Sequence, residues 1–178
     1  MSVEVALTWA VPVAIALHNA EEARYLLAWT RRGDGRWRRP VEDCPFRFAV
    51  VVLTAAVVAA AVWTEVAGFG SVGQYVLAAF ALGQGLNVIA PHLVVTLRTG
   101  GYMPGLGSGL ALVAPASVAL LARGLGSGAL EPRILLIVGA ILIPVTVAGI
   151  PILFRLGTLM ICRRESPSAA SGGAGYSG

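Results

Sequence analysis

His18, Glu21 and Glu22 fall within five positions in "LHNAEEARYLL", residues 17–27, at the end of a long apolar run. An imidazole four residues before a carboxylate puts both groups on one face of a helix, within reach of each other. At about 100° per residue, Glu22 lies about 40° to one side of His18, Glu21 about 60° to the other, and Tyr25 within about 20°. His18, Glu22 and Tyr25 therefore share a stripe with Glu21 at its edge, and Arg24 is placed to pair with Glu21. The plain alternative is a helix end whose charges snorkel to the interface. Against it, His18 stands roughly 16 Å inside Trp29 by helix rise. Ionisable side chains held inside a membrane are costly and usually functional.

A second polar set occurs in "GQGLNVIAPHLVVTLRTGGYMPG", residues 83–105. It offers Gln84, Asn87 and His92, with Pro91 between them. Proline cannot donate to the helix and crowds the carbonyl four residues back, that of Asn87. Broken backbone of this kind survives in a membrane only where it faces protein or water. Gly85, seven residues before His92, leaves room on the same face. Gln84 and Asn87 also read as simple bridges between helices. His92 says more, because the chain has two histidines and both fall in apolar stretches. The segment that follows, "TGGYMPGLGSG", carries a Pro104-Gly105 turn signal and a GxxxG spacing suited to helix packing. It reads as a loop closing the site from below; Tyr102 also reads as an interfacial anchor.

The elements that position these groups follow from composition. The 178 residues are 57% hydrophobic and 12% charged, with mean hydropathy +0.79. A soluble domain carries roughly a quarter charged residues, so the expected solvent is a bilayer. Five stretches approach the span length of about 20 apolar residues: roughly residues 5–29, 46–67, 72–97, 106–121 and 134–154, the fourth being shortest. β-Branched runs such as "AVVVLTAAVVAAAV" form helix rather than strand, because a lipid-exposed backbone must satisfy itself. The expected fold is an all-α, polytopic bundle over residues 1–160. A polar, disordered cytoplasmic tail is expected over residues 161–178. The first run has no basic leader and no small-residue cleavage site, so it reads as a span rather than a signal peptide.

All thirteen cations are arginine. Arg31, Arg32, Arg36, Arg38, Arg39 and Arg47 flank the turn between spans one and two, whereas "GFGSVG" after span two has none. The positive-inside rule then puts the N-terminus outside and the C-terminus, with Arg163 and Arg164, inside. Alanine-, glycine- and arginine-rich usage points to a bacterial inner membrane. No aromatics interleave with a basic stripe, so nucleic acid is not an expected partner. Cys44 and Cys162 lie in polar flanks without CxxC spacing and read as free thiols on the reducing side. Glu65, near the outer end of span two, reads as interfacial. No internal repeat marks a transporter.

"HNAEE", with a downstream His92 and "YMPG" at residues 102–105, resembles the HXXEE-domain family of small integral membrane proteins. The resemblance covers residues 5–155. It implies a membrane enzyme of unknown reaction, with the site on His18, Glu21, Glu22, His92 and Tyr102.

Two chemistries fit these residues. His18, His92 and Glu22 form a two-histidine, one-carboxylate set suited to zinc or iron, with Glu21 as a further ligand, general base or orienting partner. HxxEE lacks the second histidine of the zinc-protease signatures. Without metal, two carboxylates so close resist double ionisation, leaving a protonated glutamic acid beside a histidine for acid-base work. Either version would act on a hydrophobic or lipid-like substrate, with Tyr25, Gln84 and Asn87 binding it and membrane lipid as surroundings. The alternative is a non-enzymatic proton- or ion-conducting subunit or membrane scaffold.

Overall fold

The computed structural model describes residues 1–32 and 41–162. The tail over 163–178 with Arg163 and Arg164, and the loop over 33–40 with Arg36, Arg38 and Arg39, lie outside the described residues. Five helices are long and apolar enough to cross a membrane: α1 (Val3–Arg31), α2 (Asp43–Ala67), α3 (Val72–Thr99), α4 (Leu106–Gly126) and α5 (Pro132–Met160). No strand occurs among the described residues. Helix is the only open-chain answer for such sequences in lipid, where each unpaired backbone group is expensive. The fourth helix has 21 residues and runs past the expected stop at residue 121.

Contacts at the helix ends set the topology. Arg123, late in α4, donates to Glu4 in the first turn of α1 at 3.0 Å. The Trp9 indole donates to Glu65, late in α2, at 3.0 Å. At the opposite end Leu26 and Leu27 of α1 pack with Phe46 of α2 and Val95 of α3. Successive helices therefore run antiparallel, and the chain starts at a "Glu4 end" opposite the "Arg31 end". Between them Val11, Ile15, Val57, Leu77, Val88 and Val113 form the apolar core. Small residues allow close approach: a side chain at Gly73 would meet the Thr64 backbone at 2.7 Å.

Two helices are locally irregular. In α3 the turns widen over Val88–Leu93, and Ala90 leaves helical geometry at φ −130°, ψ 108°. The residue before a proline is pushed out of the α region, so Pro91 accounts for the break expected there. The Ala90–Pro91 peptide is cis. In α4 the turns widen over Gly109–Val113. Insertions of this kind recur at functional sites; the first contains His92, and the second directly follows Ser108, which contacts His18.

The cysteine reading is corrected. Cys44 and Cys162 form a disulfide, Cα–Cα 6.0 Å, across a sequence separation of 118. Each cysteine alone sits in a polar flank, and antiparallel packing of α2 on α5 brings those flanks together. Gly157 makes this possible, since a Cβ there would stand 3.1 Å from both Pro45 and Phe48.

Candidate metal centre and its closing loop

α1 and the broken part of α3 bring His18, Glu22 and His92 to one point. Both imidazoles are buried, at 0% and 1% exposure. Their rings meet edge to face, centroids 5.1 Å apart. Glu22 Oε1 lies 2.8 Å from His92 Nε2 and 3.8 Å from His18 Nε2. One ligand atom from each of the three lies within 4.8 Å of the others. Ligands about 2.1 Å from a tetrahedral ion stand roughly 3.4 Å apart; the two carboxylate–imidazole separations straddle that value. Two neutral nitrogens and one carboxylate suit zinc or ferrous iron.

Proton positions follow from the neighbours. The Ser108 hydroxyl donates to Glu21, an acceptor-only carboxylate when ionised. Toward His18 Nδ1, 3.3 Å away, the same oxygen offers only a lone pair. His18 therefore carries its proton on Nδ1, and its Nε2 lone pair faces Glu22 and His92. This is the outer-shell arrangement that orients metal-binding histidines. At His92, Nδ1 is buried without a hydrogen-bond partner, and Nε2–H donates to Glu22 at 2.8 Å, so the carboxylate sets its tautomer. Asn87 Nδ2 lies 3.3 Å from His92 Nε2 and 3.5 Å from both His18 Nε2 and Gln84 Oε1.

Glu21 does something other than ligate. Its Oε1 accepts from the Tyr102 hydroxyl at 2.5 Å and the Gly105 amide at 2.9 Å. Its Oε2 accepts from the Ser108 amide at 3.1 Å and from the Ser108 hydroxyl. The carboxylate thus caps the N-terminus of α4, where free amides and the helix dipole favour an anion. Tyr102 continues the tie by accepting from the Gly107 amide at 2.9 Å. Burial, and then the bond to Glu21, raises the Tyr102 phenol above its ordinary value, so it remains a donor at neutral pH. The 100–108 segment is therefore pinned over the imidazoles as the expected closing loop. Gly105, at φ +97°, lies directly against both rings. Gly109, four residues on, presses on Val88 of α3, where a Cβ would stand 2.7 Å away.

Gln84 and Asn87 reach the site, together with Asn19, whose Nδ2 donates to Thr54 at 2.7 Å. With Glu22 they form the polar part of a cavity of about 250 Å³ between α1, α2, α3 and α5. Two expectations are corrected. Tyr25 is 57% exposed and does not line that cavity; it lies under Arg24, whose guanidinium carbon stands 5.9 Å from the ring centroid. Arg24 is therefore not Glu21's partner. The inward face of α1 follows the i+4 row through buried His18, half-buried Glu22, and buried Leu26 and Thr30. That row drifts about 40° per step at 100° per residue, turning Tyr25 away. Gly85 has the open space expected of it, and the close approach to the imidazoles is made by Gly105. Ser108 was not anticipated; its signal was a hydroxyl three residues after a Pro-Gly turn, beside a helix start.

The family described as "Protein of unknown function with HXXEE motif" matches residues 9–120. The chain is 29% identical over 144 residues to "Uncharacterized protein YrkK" of Bacillus subtilis (strain 168), covering 81% of this chain and 90% of that protein. No solved structure matches it.

Proposed function

From its membership of the HXXEE family, whose function is unknown, and from its site, we propose that the protein is a membrane enzyme acting on a hydrophobic, lipid-like substrate at a divalent-metal centre of His18, Glu22 and His92. The observation that carries this is the convergence of three ligand atoms within 4.8 Å, in buried surroundings, beside a largely apolar cavity that shares Glu22 with them. A bound zinc or ferrous ion would supply Lewis acidity or an activated water. The chain's own residues do the rest. Ser108 holds the His18 tautomer, Glu21 and Tyr102 hold the loop that shields the imidazoles from water, and Gln84 and Asn87 present amides to the substrate. In a bacterial inner membrane, the arginines favour a cytoplasmic Arg31 end by the positive-inside rule, whereas the Cys44–Cys162 disulfide at that end favours an oxidising compartment.

The close His92–Glu22 pair, at 2.8 Å, favours a second version with the same residues. There His92 Nε2–H and Glu22 shuttle a proton without metal. Proton conduction is less well supported, because Ile15, Leu77, Val88 and Val113 place an apolar layer between the site and the Glu4 end. Metal analysis of the purified protein in lipid nanodiscs after zinc dialysis tests the reading. One zinc per chain is expected, lost in His18→Ala, Glu22→Ala and His92→Ala with membrane insertion kept. Wild type holding no more zinc than these three variants rejects the metal version.

A further inference from the structure

We propose that the cavity beside Glu22 seats a single hydrocarbon chain bearing an uncharged, hydrogen-bonding head: an alcohol, ester or amide. This rests on the enzymatic reading above and names its substrate class. Polarity in the cavity is concentrated in Asn19, Glu22, Gln84 and Asn87, while its other walls are almost wholly apolar. Along α3 the lining runs from Asn87 back to Ala79, about 12 Å by helix rise. Lined over that length by α1, α2, α3 and α5, the space suits one extended chain. Val147 lines the cavity and is 61% exposed, so the space opens on the outer side of α5, where such chains reside. No arginine lines it. Without a bound ion, an anionic head would meet the Glu22 carboxylate with no fixed counter-charge; with or without one, an alcohol or amide can exchange hydrogen bonds with Gln84 and Asn87.

Gly83 lets α5 approach α3 at the cavity wall: a Cβ there would stand 3.3 Å from Ile143, so a larger side chain must displace Ile143 or enter the cavity that both residues line. The test is photolabelling of the full-length protein in nanodiscs with octanol carrying a terminal diazirine, with zinc content measured on the same samples. Saturable labelling of α3 and α5 near Gly83 and Ile143 is expected, cut at least tenfold in Gly83→Leu. In protein stripped of metal by chelator, unlabelled octanol should compete at least tenfold better than octyl phosphate. Equal labelling of wild type and Gly83→Leu overturns the proposal, as does equal competition by the phosphate. If Gly83→Leu does not fold, Val147→Trp at the exposed mouth decides by the same criterion. Wild type lacking zinc but labelled as expected removes the metal and leaves the chain site standing. Full zinc with labelling indifferent to both variants removes only the chain site.

Discussion

Gly105→Ala is the sharpest single perturbation of the centre. A Cβ at that position would stand 2.5 Å from His92 Cε1, 2.9 Å from His92 Nδ1 and 3.0 Å from His18 Cε1. Carbon atoms rest at about 3.5–4.0 Å, so the His92 ring must retreat by roughly 1 Å, or the loop must lift by as much. The loop resists lifting because Glu21 holds the Gly105 and Ser108 amides. Metal–ligand distances tolerate only about 0.2 Å, so a ring displaced that far no longer coordinates. Zinc affinity is expected to fall about 100-fold, or about 2.8 kcal/mol at 1.4 kcal/mol per tenfold. Competition with a chromophoric chelator, on protein in nanodiscs, measures this. Alanine at φ +97° also costs about 1–2 kcal/mol of backbone strain, which needs its own control. Gly100→Ala provides it: φ there is +65° and nothing lies within 4 Å of the added carbon. That variant should keep zinc affinity within about threefold of wild type. Unchanged affinity in Gly105→Ala, or equal losses in both variants, would refute the geometric argument.

Other expectations follow from the same contacts. Glu21→Gln puts an amide N–H where a backbone N–H already points. It should cost about 1.5–3 kcal/mol and speed hydrogen exchange at Gly105 and Ser108; unchanged exchange at both amides removes Glu21 as the loop's anchor. Ser108→Ala takes away the acceptor that fixes the His18 tautomer and should weaken zinc binding about tenfold, while wild-type affinity would dissociate Ser108 from the centre. Intact mass under non-reducing conditions should be lighter than the dithiol by two hydrogens, and Cys44→Ser should lower thermal stability by up to about 4–5 kcal/mol for so long a loop; a dithiol mass defeats both. Fusions after residue 178 should give fluorescent GFP and inactive alkaline phosphatase. The reverse pattern would place the Cys44–Cys162 end in an oxidising compartment and overturn the orientation drawn from the arginines.

Much of the architecture was legible because lipid leaves few choices. Apolar runs near the length of a bilayer must be helices, and their number and approximate limits followed from hydropathy. His18 and Glu22 were readable from i, i+4 spacing, and His92 from its rarity and its neighbouring proline. Harder to read was anything that depends on how helices turn about their own axes. Tyr25 lies nearest His18 on an ideal wheel, yet the buried row tilts away from it. Glu21 and Glu22 look equivalent in "HNAEE", but they point to different helices, one to the start of α4 and the other to His92. The cysteine pair spans a separation of 118 residues, with no local pattern to announce it. The apolar wall from α5 is written in leucine, isoleucine and valine like any lipid-facing surface, so nothing in its composition marks Ile143 or Val147 as lining a cavity.

The tie between Cys44 and Cys162 joins the start of α2 to the end of α5, and these two rods supply much of the apolar wall beside Glu22. Rods riveted at one tip cannot part there; they can only scissor, and the gap widens with distance from the rivet. Near Phe46 and Phe154 the seam stays shut, while the spread is greatest toward Leu142, deep in the hydrocarbon layer. If the proposed chain site is occupied, its tail is expected to enter this seam from the oily middle of the membrane rather than from its watery rim.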